Sequence, residues 1–429
     1  MTLLNIFSTN SILNNLNIGR ISNNTEFFNN NEPNTFGSEI KRIEFGDKSL
    51  FSSLGVEFNI KEKTSLIINS FLRTEDGVNR FKTQLDQFDS TKLLVETTNL
   101  DEVNRDDDNA FQFSTNFDTE FKKGDKLTAV FQYEKNGENE LSEIENTNPL
   151  RNERVEEFRD EKRVLLQADY VLPFDDSSQL EIGYRGSFLN QETDFSVFDY
   201  EGIIRDTLSN VLIYGEKINS AYIQYGKSIK DFSFLLGMRV EDTEIIIKQL
   251  TTEERNDQNY TKFFPTLNFS YKFNDSKSII IGFSRRISRP RARLLNPFLS
   301  RSGITNFFQG NPNLTPSYSN TVDLGFLRKW DKLTFNSSIY FQKSSDVVTV
   351  FPFDTGQRVS IKSDDDPSQN IVRSVPIIIK SPINLKENNR IGGELTLSYS
   401  PTRRSRFFIN TNLFNSENIS NFREVNLDR

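Results

Sequence analysis

The chain of 429 residues contains neither cysteine nor histidine. Without cysteine there is no disulfide, no thiolate metal site and no thiol nucleophile. Without histidine the commonest general base and metal ligand is gone. Methionine occurs twice and tryptophan once. No segment reaches the ~20 continuous apolar residues of a spanning helix, and the mean hydropathy is −0.55. That excludes a helical membrane protein but not a transmembrane β-barrel, whose alternating strands average out in a hydropathy window. Gly-x-Ser-x-Gly, Rossmann and Walker patterns are all missing, so catalytic, cofactor and metal residues are predicted to be none. A net charge of −8 and a pI near 5.1 argue against nucleic acid as a partner.

Phenylalanine is what the chain has in excess, at 39 residues. It recurs with a strict period of two. Phe111, Phe113, Phe117 and Phe121 share one face with Thr115 and Thr119, while Gln112, Ser114, Asn116, Asp118 and Glu120 share the other. Successive strand residues point to opposite faces, so this is a strand with one apolar side. After Lys122-Lys123-Gly124-Asp125, Leu127, Ala129, Phe131 and Tyr133 resume the apolar face. Similar hairpins turn at Lys61-Glu62-Lys63, Phe174-Asp175-Asp176-Ser177, Lys230-Asp231, Asn274-Asp275-Ser276-Lys277, Lys329-Trp330-Asp331 and Pro401 to Ser405. From Leu50 to Phe414 this gives about seven hairpins and about fourteen strands, with a partial hairpin before Gly46.

Between hairpins lie long polar inserts: Arg73 to Asn109, Asn136 to Phe158, Gln191 to Gly215, Ile287 to Ser317 and Ser344 to Glu387. Lys92 to Thr98 and Ile377 to Lys380 are expected to extend strands within them. Short turns on one side and long loops on the other suit a barrel between two aqueous compartments. A soluble sandwich also alternates, and remains the alternative from periodicity alone. No linker divides the chain, so one domain is expected. Met1 to Asn10 has neither the basic nor the apolar region of a signal peptide. Asn426 to Arg429 does not read as a closing strand, so an internal piece of a longer protein is expected. The runs Asp106-Asp107-Asp108 and Asp364-Asp365-Asp366 lack the ligand spacing of a Ca²⁺ loop and read as solvated loops.

One stretch is more specific. Phe264-Pro265-Thr266-Leu267-Asn268-Phe269 leads through a turn to Ser284-Arg285-Arg286-Ile287-Ser288-Arg289-Pro290. Leu295-Asn296-Pro297-Phe298 and Gly310-Asn311-Pro312-Asn313-Leu314-Thr315-Pro316 follow before a strand from Thr321 to Trp330. This order resembles the TonB-dependent outer-membrane receptors of the Bacteroidetes type, the outer membrane protein β-barrel family. The hairpins on either side extend the resemblance over most of the chain.

The resemblance implies an all-β, antiparallel, meandering transmembrane barrel in the cell outer membrane. About 14–16 strands of the family's roughly 22 are expected here, with short periplasmic turns and long extracellular loops. Residues 1–429 would be the barrel domain, truncated at both ends and without the family's plug and carboxypeptidase-like modules. The implied activity is uptake of a scarce nutrient such as a siderophore, oligosaccharide or peptide. The implied partners are outer-membrane lipid, that ligand, and the TonB complex through the plug. A non-transporting surface binding or adhesion barrel and a passive porin are the alternatives.

The motif residues Arg285, Arg286, Arg289, Pro290, Asn296, Pro297, Gly310, Asn311 and Pro312 read as structural or loop-shaping. Proline fixes φ and restricts its predecessor, and Asn-Pro initiates turns. With Arg291 and Arg293, the arginines form the only dense basic cluster, suited to lipid phosphates or acidic loops. Phe307 and Phe308, near Arg301 and Gln309, are candidate ligand-facing loop residues. On the strands, Gln112, Ser114, Asn116, Asp118, Glu120, Asn268, Ser270 and Lys272 should line the lumen. Phe111, Phe113, Phe117, Phe121, Leu267, Phe269 and Tyr271 should face lipid.

Overall fold

The computed structural model describes residues 3–27, 35–121, 124–147, 152–301, 306–362 and 372–420. These form one sheet of 17 strands. In chain order they are β1 (Leu3–Phe27), β2 (Thr35–Lys61), β3 (Thr64–Phe88), β4 (Leu94–Glu120), β5 (Lys126–Asn146), β6 (Glu153–Asp175), β7 (Ser178–Phe198), β8 (Asn210–Ile229) and β9 (Phe232–Gln249). They continue with β10 (Arg255–Asn274), β11 (Lys277–Ser288), β12 (Leu299–Arg301), β13 (Asn306–Gln309), β14 (Ser317–Lys329), β15 (Leu333–Lys362), β16 (Val372–Thr402) and β17 (Ser405–Ile419). Each long strand pairs antiparallel with its neighbour in sequence, and β11 pairs with β14 across an insert. The wall is therefore an uninterrupted meander of β1 to β11 and β14 to β17, the number of strands expected from the sequence.

The short turns lie at one end, at residues 61–64, 175–178, 229–232, 274–277, 329–333 and 402–405, and at the same end Phe121 donates its N–H to the Asp125 carbonyl. Asp175 and Asn274 each cap their turn by accepting from the backbone N–H and hydroxyl of Ser177 and Ser276. The turn at Lys122-Lys123 lies outside the described residues, as do Asp364-Asp365-Asp366 and Asn426 to Arg429.

The other end departs from expectation. Four of the five polar inserts are mostly strand. Residues 73–109 complete β3 and β4 around a turn in which Asp89 accepts from the backbone of Thr91 and Leu93. Asn136 to Phe158, Gln191 to Gly215 and Ser344 to Glu387 likewise lengthen their strands, and Asp106-Asp107-Asp108 sits within β4 rather than in a loop. A membrane needs only ~9–11 residues per strand, whereas β16 has 31. Projecting above the bilayer, such strands meet water on both faces, so their polar residues carry no period. The partial hairpin expected before Gly46 is a full one, β1 paired with β2, although Leu3 to Asn24 mixes leucine, isoleucine and asparagine on both parities.

Parity fixes the two faces. Glu102, Glu138, Glu157, Gln191 and Tyr214 line an internal cavity. Along β4 the register to β5 is unbroken from Leu100 to Glu120. Gln112, Ser114, Asn116, Asp118 and Glu120 therefore share the inner face of Glu102, and Phe111, Phe113, Phe117 and Phe121 face outward. In β10, Asn268, Ser270 and Lys272 share the inner face of Tyr260. Leu267, Phe269 and Tyr271 point outward and are exposed. Near the short turns the outward aromatics meet across strands, as in Phe232–Phe269 at 6.1 Å and Phe234–Tyr225 at 6.0 Å. This is the aromatic girdle of a membrane barrel.

Candidate functional site: the charged mouth of the lumen

The one insert that is not strand extension folds inward over its described residues, 289–301 and 306–316. It carries a single turn of helix, α1 (Ala292–Leu295), and the short strands β12 and β13. Leu295 and Leu314 are completely buried against Leu189, Leu212, Tyr214, Ile245 and Ile247 on the inner faces of β7 to β9. An apolar cluster inside a polar lumen is thus provided by this insert and the wall it covers.

The motif residues hold the insert in place. Arg289 donates to Glu241 Oε2 at 2.6 Å, Thr243 Oγ1 at 2.9 Å and the Tyr260 hydroxyl at 3.1 Å. Glu241 also accepts from Arg239. Pro290 is buried beside this network. Asn296 Oδ1 accepts from the backbone N–H of Phe298, and the Pro297 carbonyl accepts from Gln309. At Gly310 a Cβ would lie 2.3 Å from the Asn296 carbonyl oxygen and 2.7 Å from that of Leu294, so only glycine fits. Asn311 donates its N–H to Leu294 and its amide to the Pro382 carbonyl of β16. Gln258 on β10 donates to the carbonyls of Pro312 and Leu314. Asn384 on β16 exchanges two bonds with Thr315. The insert is a strap tied to β9, β10 and β16.

Arg285 and Arg286 take no part in these ties. Arg285 lies 5.3 Å from the Tyr318 ring, and Arg286 is exposed at the end of β11. Phe308 borders the cavity with Arg293 5.4 Å from its ring, while its strand neighbour Phe307 points the other way. The side chain of Arg301 lies outside the described residues.

Between strap and wall opens a cavity of about 1130 Å³. Its strap side presents Arg289, Arg291 and Arg293. Its wall side presents Glu102, Glu138, Glu140, Glu157 and Glu161 with Arg159 and Arg163. Arg159 bridges Glu138 and Glu157, and Arg163 pairs with Glu161 at 3.4 Å. Carboxylates crowd here: Asp106 pairs across strands with Glu140, which pairs with Glu157. Burial, then Asp108, Glu138 and two further carboxylates, pushes Asp106 up to about 6. Burial raises Asp108, Glu138 and Glu140 as well. Burial also pushes the Tyr214 hydroxyl up, beside Glu216. Glu102, Glu138, Glu140 and Glu157 fall in the stretches expected to be polar inserts, whereas Arg159, Glu161 and Arg163 lie just beyond them. The signal for them is the alternation Glu157, Arg159, Glu161, Arg163, which places four charges on one face of a strand.

Residues 115–429 match the sequence profile of the outer membrane protein beta-barrel family, and the chain belongs to that family. No curated protein matches it. Among solved structures, the ferripyoverdine receptor of the outer membrane of Pseudomonas aeruginosa bound to ferripyoverdine is similar over 97% of this chain and 56% of its own, at 11% identity and a TM-score of 0.58. The copper transporter OprC is similar over 96% and 63%, at 11% identity and a TM-score of 0.57. The ferric yersiniabactin uptake receptor FyuA from Yersinia pestis is similar over 95% and 61%, at 10% identity and a TM-score of 0.55. The chain thus spans 56–63% of the length of these proteins, and at such identities the likeness is one of fold.

Proposed function

We propose that this member of the outer membrane protein beta-barrel family is the ligand-capturing barrel of a TonB-dependent uptake receptor. The observation that carries the reading is the cavity: about 1130 Å³, walled by charged side chains on the paired strands β4 to β6 and bounded by a strap tied to β9, β10 and β16. Binding cavities for compact ligands run to ~300–1,000 Å³, so this one suits a small nutrient held at the mouth rather than a free channel. Solved neighbours whose names describe uptake of ferric yersiniabactin or transport of copper support the class without naming the ligand here. In this reading residues 1–429 supply the barrel. The plug that meets TonB belongs to sequence beyond them. Arg289, Pro290, Asn296, Pro297, Gly310, Asn311 and Pro312 position the strap, and Phe308 faces the ligand.

Uptake assays on the intact protein in its own outer membrane test this. Radiolabelled ferric siderophores, copper(II), short peptides, oligosaccharides and cobalamin are offered to a deletion strain with and without the gene. Gene-dependent accumulation that stops when a protonophore collapses the inner-membrane gradient is the expected result. Accumulation that survives the protonophore would establish a passive porin. Binding without accumulation of any of these probes would establish an adhesion barrel.

A further inference from the structure

The outer wall carries a second pattern, independent of the lumen. On each strand the outward apolar residues end at nearly the same height, and the next outward residue is polar. After Leu50, Tyr133, Val164 and Phe341 that residue is Lys48, Lys135, Lys162 and Lys343. On β8, Lys217 follows one step above Asn219. On β3, β4, β7, β10 and β16 it is the neutral Thr74, Asn109, Asn190, Thr261 and Asn389. Among the strands named, Asp242 on β9 puts a carboxylate at this level, and Lys48 pairs in register with Asp76. The register aligns the row: Lys135 pairs with Lys162, Lys162 with Asn190, Asp242 with Thr261, and Lys343 with Asn389.

A basic row on a chain of net charge −8 is a segregation of charge. It is also costly in itself, because like charges directly opposite on adjacent strands repel. Lys135 and Lys162 do so, relieved from above by Asp160, at 3.9 and 2.8 Å. Lys217 and Lys343 likewise meet Glu244 at 3.3 Å and Glu387 at 2.8 Å. All four lysine side chains stay more than half exposed. Their alkyl stems start at the edge of the apolar band, where acyl chains give way to headgroups.

We propose that Lys135 and Lys162, with Lys48, Lys217 and Lys343, form a phosphate-binding belt for anionic lipid of the outer leaflet. Two ammonium groups on strands ~4.8 Å apart bracket one headgroup phosphate, and the tyrosine and valine below them meet its acyl chains. The source is membrane lipid and not free phosphate, because the pair opens onto the apolar band.

The test uses the intact protein in nanodiscs of phosphatidylcholine mixed with phosphatidylglycerol, with retained lipids counted by native mass spectrometry. The wild type is expected to retain phosphatidylglycerol in excess of its share. Lys135→Gln with Lys162→Gln should reduce that excess about fivefold per lysine removed, and the arginine pair should keep it. Inorganic phosphate should not compete. An excess unchanged in the glutamine pair, lost in the arginine pair, or abolished by inorganic phosphate would overturn the proposal. Should the glutamine pair fail to assemble, Lys217→Gln with Lys343→Gln carries the same expectation and the same refutation.

Discussion

Arg289 shows how much one side chain decides in this barrel. Its guanidinium is mostly buried and meets a carboxylate, a hydroxyl and a phenol, so its removal strands Glu241 in the lumen wall. Breaking a buried pair costs ~3–5 kcal/mol, but Arg239 still holds Glu241 at 2.5 Å. Arg289→Ala is therefore expected to destabilise the strap by about 3 kcal/mol, at the low end of that range. Limited proteolysis should then cut within residues 289–316 while leaving the short turns intact. Asp106 makes the opposite kind of statement. Its folded pKa of about 6 lies above the ordinary value of 3.8. The folded state therefore binds the proton more tightly, and the contribution to stability is full at low pH. It is lost as pH rises through about 6. Hydrogen exchange corrected for intrinsic rates should show the outer parts of β3 and β4 better protected near pH 5 than near pH 7, with Asp106→Asn shrinking the difference. Equal protection at both values would mean that the crowded carboxylates are relieved in some other way.

A strand of this wall has two halves under different rules. Near the short turns one face meets lipid, and a lysine at mid-bilayer costs ~2–4 kcal/mol. Phe117→Lys should consequently impair assembly, read as lost heat-modifiable migration, whereas Asn116→Lys, one residue away on the inner face, should be nearly silent. Phe269→Lys and Asn268→Lys repeat the comparison on β10, and equal effects at the two parities would undo the facing. This half was legible in the sequence, because lipid enforces the period at Phe111, Phe113 and Phe117. Above the bilayer nothing enforces it. Arg73 to Asn109 read as a loop because its alternating residues are polar on both sides, although backbone pairing continues from Arg73–Ala110 to Gln84–Asn99. The strap was legible as a motif but not as a fold, since its partners Ile245, Gln258 and Asn384 lie far off in sequence. Gly310 carries its geometry most sharply. Gly310→Ala must move the carbonyls of Asn296 or Leu294, and overpacking of this kind costs ~1–3 kcal/mol. Cleavage between residues 298 and 309, absent from the wild type, is the expected readout.

At the scale of the molecule, the unresolved tension is between a membrane wall and its two margins. In a bilayer every backbone N–H and C=O needs a partner, so spanning sheets close. Among the described residues β1 pairs on one side with β2, and β17 on one side with β16. The apolar side chains of both margins are open, among them Ile12, Leu16 and Ile18 on β1 and Phe407, Phe408 and Leu413 on β17. Exposed on both faces and along one edge, these strands are templates for further pairing. Partners can come from each other, from additional strands or from a second copy, and each satisfies the same backbone groups. The expectation common to all three is that amides of Leu3–Phe27 and Ser405–Ile419, in the intact protein inserted in lipid, exchange as slowly as those of β5 near its turn. Disulfide trapping with Ile12→Cys and Phe408→Cys then separates the cases: an intramolecular bond means that the margins meet, and a dimer means that a second copy covers them. Fast exchange along both margins, beside slow exchange in β5, would show backbone hydrogen-bonded to water where lipid should be. The wall would then stand in solvent, and the bilayer reading of its phenylalanine face would fall with it.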